Sequence, residues 1–217
     1  MSDKIMKTGH IRRDYPQPAL HRIDLDKDPF AQFTHWLTEV MEVADVSDPT
    51  AMILATVAAN GVPHQRTVLL KDHGAGGFTF FTHLDSNKAQ QIEGNTRVSL
   101  LFPWLTLSRQ VIITGRITRT STATDAYYFS LRPRASQIAA WASHQSKPLA
   151  NREALEAAYA RIEKEFGDDD IPCPPFWGGY SAKAETLEFW QGRPSRLHDR
   201  FIYTMENDSW ILTRLSP

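Results

Sequence analysis

The tightest constraint on this chain is its punctuation: short apolar runs are separated by turn sequences rather than by long helices. Asn60-Gly61 stands between an apolar run at 51–57 and a returning run at 65–71, a strong short-range hairpin signal. Gly74-Ala75-Gly76-Gly77 makes a second turn before Phe78-Thr79-Phe80-Phe81-Thr82. Further strands are read at 97–102 and 109–119. Near the C-terminal end, strands at 185–191, 196–203 and 210–215 are joined by turns at Gly192-Arg193-Pro194-Ser195 and Glu206-Asn207-Asp208. The regular strand–helix alternation of a doubly wound sheet is missing. The pattern predicts a mainly β fold of the α+β class: an antiparallel sheet or barrel of seven or eight strands with helices at its edge.

Helices are read between the strands. Asp28 is placed to cap one over 29–44, with Pro29 at its first position. Phe30, Phe33, Leu37, Val40, Met41 and Ala44 fall at helical spacing. Ser86 is set to cap a short helix over 87–93, and Gly94 to end it. Two helical segments follow at 122–132 and 133–142. A third, at 151–166, carries Leu155, Tyr159, Ile162 and Phe166 on one stripe. Residues 1–20 read as a flexible N-terminal arm and 21–217 as a single domain.

Lys and Arg total 24 against 25 Asp and Glu. A general nucleic-acid binder needs a surplus of cations to displace counterions, so the balance argues against one. It leaves room for a local basic pocket. The one cysteine, Cys173, excludes an intrachain disulfide and fits a reducing cytoplasm. It lies among prolines and reads as inert. No run approaches the roughly 20 apolar residues of a membrane span, and residues 1–15 carry no apolar signal core. Walker, Gly-x-Ser-x-Gly and His-Glu-x-x-His signatures are all missing. Asp168-Asp169-Asp170 reads as solvated loop. Chemistry on such a chain would come from a bound cofactor.

Four groupings remain. Arg196, His198 and Arg200 alternate on the strand read at 196–203, which would put them on one face. They form either a solvated outer face or a seat for an anion, with Trp190 across the turn. Tyr128, Arg132 and Ser136 are each four apart and would share a helix face if Pro133 did not divert it. They suit a phosphate, although the spacing alone favours an amphipathic surface with Tyr128 half-buried. Asp85-Ser86-Asn87-Lys88 opens a helix directly after a strand, which favours an anion or is a plain cap. Arg66 and Lys71 are five apart. To serve one site the strand must bend, or Lys71 must lie beyond its end. Together the groupings offer two anion-binding sets and an aromatic surface, suited to two phosphorylated planar molecules.

At these residues the sequence resembles the pyridoxine/pyridoxamine 5′-phosphate oxidase family. The resemblance rests on Gln65-Arg66-Thr67-Val68-Leu69-Leu70-Lys71, Ser99-Leu100-Leu101-Phe102-Pro103-Trp104, the block from Tyr128-Phe129-Ser130-Leu131-Arg132 through Pro133-Arg134-Ala135-Ser136, and Phe176-Trp177-Gly178-Gly179. Above all it rests on Glu188-Phe189-Trp190-Gln191-Gly192 followed by Arg196-Leu197-His198-Asp199-Arg200. It runs from about residue 12 to residue 217. It implies a split β-barrel homodimer with FMN at the subunit interface. By the resemblance Arg66, Thr67, Val68, Leu69, Leu70, Lys71, Phe81, Thr82, Asn87, Lys88, Gln110, Gln145, Ser146, Trp190 and Arg200 would bind FMN. Lys71, Tyr128, Arg132 and Ser136 would hold the substrate phosphate. Arg196 and His198 would be catalytic, flanking the substrate ring, and Arg12 and Tyr15 would close over it. Asn87 departs from the Arg frequent there in the family, which would weaken the FMN phosphate seat unless Arg66, Lys88 and the helix end suffice.

The implied reaction is oxidation of pyridoxine or pyridoxamine 5′-phosphate by O2 to pyridoxal 5′-phosphate. A hydride passes from C4′ to flavin N5, and hydrogen peroxide is released. Holding both partners by their phosphates makes that step effectively unimolecular. Competing readings are a family member acting on another planar substrate such as a phenazine precursor, a non-catalytic flavin or pyridoxal-phosphate binder, and a small barrel binding single-stranded nucleic acid.

Overall fold

The computed structural model of the chain describes residues 15–43 and 46–217. Arg12 and Ala44, both singled out above, lie outside them. The helices are α1 (Pro29–Met41), α2 (Asn87–Gly94), α3 (Thr122–Ser130), α4 (Arg134–Ala142) and α5 (Arg152–Phe166). The strands are β1 (Ala51–Val57), β2 (Pro63–Leu69), β3 (Phe78–His83), β4 (Arg97–Trp104), β5 (Arg109–Arg119), β6 (Trp177–Gln191), β7 (Asp199–Glu206) and β8 (Ser209–Leu215). Strand order is β2-β1-β4-β5-β6-β7-β8, with β3 paired to β6. The pairs β1–β2, β1–β4, β3–β6 and β7–β8 are all antiparallel. The mainly β, α+β architecture expected from the turn pattern is the one adopted. No helix of the described residues is long and apolar enough to cross a membrane.

The chain divides into two compact units. One takes residues up to 49, 103–112 and 187–217; the other takes 50–102 and 113–186. In the larger unit the Asn60-Gly61 turn closes the β1–β2 hairpin. Ala58 N–H donates to the Val62 carbonyl, and Gly61 takes φ +82°, a conformation that favours glycine. Met52, Leu54 and Thr56 alternate inward along β1. A second cluster packs α3, α4 and α5 through Phe129, Ile138, Ala142, Ile162, Ile171 and Trp177. In the smaller unit Asp28 accepts from Phe30 N–H and caps α1 at Pro29, as its sequence predicts. Phe33, Trp36 and Val40 are buried. The Trp36 ring meets Phe189 edge-on at 5.1 Å, and Tyr203 Oη donates to the Asp26 carbonyl at 2.6 Å.

Several expected boundaries move, each for a physical reason. Helix α1 ends at Met41, which is exposed, while Trp36 joins the buried face. Ser86 is the N-cap residue of α2, but its side chain caps nothing; its Oγ accepts from Lys88 Nζ at 3.3 Å. Gly94 is the last residue of α2 rather than its stop. Leu155 is exposed, so the α5 stripe is covered only toward its C-terminal end. Strand β6 begins at Trp177, eight residues before 185.

That early start depends on Gly178 and Gly179. A Cβ on Gly178 would run into the Asp125 carboxylate, and one on Gly179 would lie 2.7 Å from the Phe81 ring. Asp125 is 3% exposed. It accepts from Gly179 N–H at 2.8 Å, from Arg119 Nη2 at 2.9 Å and from the Thr120 hydroxyl. Removing it strands a buried amide and a guanidinium. Asp125→Ala is expected to cost about 2–4 kcal/mol in unfolding free energy, measured by urea denaturation. A cost below about 1 kcal/mol would show that the network is not coupled to stability.

The largest correction concerns Arg196 and His198. They do not alternate on a strand with Arg200. Pro194–Arg196 forms a 3-10 turn, and β7 starts only at Asp199. Ser195 and Arg196 both take positive φ, 57° and 60°, which an extended strand excludes.

Candidate active site

One cleft of about 460 Å³ lies wholly within the larger unit. Strand β2 gives it Thr67, Val68 and Leu69. The chain then leaves the strand, and Lys71 N–H donates to the Thr79 carbonyl beside β3. Lys71 thus lies past the strand end, the arrangement that the five-residue spacing from Arg66 required, and it lines the cleft. Strand β3 adds Phe81 and Thr82, α2 adds Lys88, and the loop after α4 adds Gln145.

Tyr128, Arg132 and Ser136 converge here although no continuous helix carries them. Helix α3 stops at Ser130, and Pro133 serves as N-cap of α4. Arg132 N–H donates to the Phe129 carbonyl, and Ser136 N–H to that of Pro133. The bend therefore keeps all three on the cleft wall, together with Leu131 and Pro133.

The aromatic wall is a stack. Phe81 lies 4.1 Å from Tyr128 and 5.3 Å from Trp177, with all three rings within 15° of parallel. The Arg132 guanidinium sits 4.9 Å over the Trp177 ring. Trp177 was quoted in the resemblance but given no role. The glycine pair after it, which permits close backbone approach, was the available signal.

Charge in this cleft is one-sided. Lys71, Lys88 and Arg132 line it, with no Asp or Glu among the described lining residues. Lys88 is 9% exposed, and its Nζ donates to Gln145 Oε1 at 2.7 Å, Thr82 Oγ1 at 3.0 Å and Ser86 Oγ. Burial, and then the Arg66 charge, pull the Lys88 amine down to about 8. Arg132 Nη1 is buried without a hydrogen-bond partner. Burial lowers the Arg132 pKa and raises that of the Tyr128 phenol. A guanidinium nitrogen buried with no acceptor is costly unless an anion meets it.

Other expected site residues fall elsewhere. Arg66 is held internally: it donates to Leu54 O at 3.1 Å, to Gln91 Oε1 at 3.0 Å and to the Thr56 hydroxyl. Leu70 is buried. Asn87 is exposed at the first residue of α2. Ser146, at φ 70°, borders a separate pocket with Gln145. The smaller unit carries Gln110, half-buried on β5. There too, Arg200 is engaged twice by Glu188 at 3.0 Å and donates to the Ser216 carbonyl. Also in that unit, His198 lies 4.7 Å from Trp190 and meets Tyr15 edge-on at 5.5 Å, while Arg196 is exposed. Cys173 donates weakly to the Pro174 carbonyl, and burial raises its thiol pKa, in keeping with an inert role.

Comparison with known proteins gives a consistent picture. The family profile described as pyridoxamine 5′-phosphate oxidase matches residues 39–165. That of the pyridoxine 5′-phosphate oxidase C-terminal dimerisation region matches residues 177–217. A pyridoxine/pyridoxamine 5′-phosphate oxidase of Escherichia fergusonii is 49% identical over 216 residues, covering 100% of this chain and 99% of the relative. One of Shewanella sediminis is 50% identical over 211 residues, covering 97% and 99%. The crystal structure of PhzG from Burkholderia lata, in complex with tetrahydrophenazine-1-carboxylic acid, superposes with a TM-score of 0.85 at 28% identity, covering 92% of this chain and 98% of that one. With two profiles in chain order and half-identical relatives along its whole length, this chain belongs to the pyridoxine/pyridoxamine 5′-phosphate oxidase family.

Proposed function

We propose that the protein oxidises pyridoxine 5′-phosphate or pyridoxamine 5′-phosphate to pyridoxal 5′-phosphate, as a homodimer with FMN as cofactor and O2 as final acceptor. Hydrogen peroxide leaves in both cases; with the amine, a water also enters to supply the aldehyde oxygen and ammonia leaves. The observation that carries this reading is the acid-free cleft, with three cations and the unpartnered Arg132 Nη1 beside a stacked aromatic wall. It has the donor set of a site for phosphorylated planar molecules, and its volume falls in the usual range for small-ligand pockets.

The residues present fit FMN. Lys88, fixed by Thr82, Ser86 and Gln145, would meet its phosphate. Thr67, Val68 and Leu69 would line its ring. Arg66 would act mainly by setting the local charge, since its guanidinium is already bonded. FMN, when bound, supplies a two-electron acceptor that O2 reoxidises.

The chain's own work is placement. Lys71, Tyr128, Arg132 and Ser136 hold the substrate phosphate through an ammonium, a phenol, a guanidinium and a hydroxyl, all donors. The Tyr128 phenol stays protonated because burial raises its pKa, so it donates. Fixing the substrate by its far end orients C4′ and converts an encounter into an intramolecular step. Arg196 and His198 are assigned to the substrate ring by the resemblance alone.

Anaerobic mixing of the FMN-loaded protein with each phosphorylated substrate should bleach the flavin absorbance. Unphosphorylated pyridoxine at the same concentration should not. Absence of bleaching with either phosphate ester would reject the assignment, and equal bleaching by free pyridoxine would remove the phosphate site from it.

A further inference from the structure

Tyr128, Arg132 and Ser136 line one cleft across a break between two helices. In a continuous helix the N–H of residue 133 would meet the Phe129 carbonyl, and that of residue 134 the Ser130 carbonyl. Pro133 has no N–H to give, and α4 begins afresh at Arg134. The side chain of Gln137 stands in for both bonds. Its Nε2 donates to the Phe129 carbonyl at 2.9 Å and reaches that of Ser130 at 3.4 Å. A carbonyl oxygen only accepts, so the amide nitrogen is the end that meets these two. The Gln137 main-chain N–H donates in turn to the Pro133 carbonyl at 3.1 Å. One residue thus holds the last turn of α3 by its side chain and the first turn of α4 by its backbone.

Gln137 is 8% exposed, and Phe129 and Ile138 beside it belong to the buried cluster that packs α3, α4 and α5. An amide in such surroundings is costly unless its hydrogen bonds are made. It is not one of the residues that line the cleft. Any effect it has on a ligand therefore passes through the backbone it fixes, which carries Arg132 on one side of Pro133 and Ser136 on the other.

We infer that Gln137 is a positioning residue for the anion seat: it splices α3 to α4 across Pro133, so that Arg132 and Ser136 meet the same phosphate. The second half of this inference rests on the proposed phosphate seat; the splice stands on the hydrogen bonds alone.

Two substitutions separate the donor from the packing. Gln137→Met keeps an unbranched side chain of similar length but has no N–H. Gln137→His returns an N–H donor at a similar reach. Hydrogen exchange of the FMN-loaded protein reads the splice without substrate. The amides of Leu131, Arg132 and Ser136 should exchange roughly 3- to 10-fold faster in Gln137→Met, the worth of one hydrogen bond, while those of β1 keep their rates. Unchanged exchange at the joint would overturn the inference. Equal acceleration in β1 would overturn it too, by making Gln137 a residue of general stability only. Steady-state kinetics then read the seat. KM for pyridoxine 5′-phosphate should rise by the same rough 3- to 10-fold in Gln137→Met, because binding must now restore the register itself. The kcat and the FMN affinity should stay near wild type, and Gln137→His should recover most of the KM. Faster exchange at the joint with an unchanged KM would refute the positioning role. Failure of the wild type to bleach with either phosphate ester would instead strike the proposed activity, leaving the exchange rates to decide the splice.

Discussion

Arg132→Ala should raise KM for pyridoxine 5′-phosphate by between about 30-fold and a few thousand-fold. Truncating one member of a buried charge pair costs about 2–5 kcal/mol, and each 1.4 kcal/mol is tenfold. The range is wide because Arg132 also packs over Trp177 and Phe129, at 4.9 and 5.4 Å. Part of the loss would therefore come through the aromatic wall. Arg132→Lys separates the contributions. It keeps a positive charge but loses the planar fork that matches a phosphate and stacks on the indole. It should recover only part of the affinity. FMN titration of both variants checks the locus: the cofactor should still bind. A KM within threefold of wild type in Arg132→Ala would remove this residue from the phosphate seat.

Lys88→Met carries the second large effect, on the cofactor rather than the substrate. A hydrogen bond to a charged group is worth about 1.5–3 kcal/mol, so FMN affinity should fall roughly 10- to 150-fold. The pH dependence is the sharper reading. Burial, with Arg66 as second cause, brings the Lys88 amine down to about 8. A phosphate dianion favours the charged amine, so binding above that pH takes up a proton. Affinity is therefore full below about pH 8 and falls as pH rises beyond it, by up to about tenfold per unit. The phosphate has its second pKa near 6 and is already dianionic there, so the slope belongs to the protein. Fluorescence titration of FMN with apoprotein from pH 7 to 10 measures it. A flat profile in wild type, or an unchanged slope in Lys88→Met, would take Lys88 out of the phosphate contact.

Much of the fold was legible because its signals are local. Asn60-Gly61 demands a hairpin whatever surrounds it, and Asp28-Pro29 starts a helix by capping geometry alone. The four-residue spacing of Tyr128, Arg132 and Ser136 held its meaning through a broken helix, because Pro133 restarts the next one in place. What stayed hidden depends on distant partners. Arg66 reads as a free cation, yet Leu54, Thr56 and Gln91 already engage it. The start of β6 reads as loop, because prolines precede it and two glycines dilute its strand character. Only the approach of Asp125 and Phe81 explains those glycines. Period-two reasoning failed at Arg196 and His198, because two residues at positive φ interrupt the extended chain that the rule assumes.

The glycine pair in β6 also bears on how this scaffold can be redesigned. Backbone lies so near the Asp125 carboxylate and the Phe81 ring that no methyl group can be added at either glycine without displacing its neighbours. Phe81 and Trp177 line the cleft, so anyone wishing to admit a bulkier ring will find that aromatic wall hard to move. The malleable side is the joint between α3 and α4, where Leu131 borders the cleft yet is 61% exposed and free to change size. New substrate ranges in this lineage should therefore arise by altering that joint.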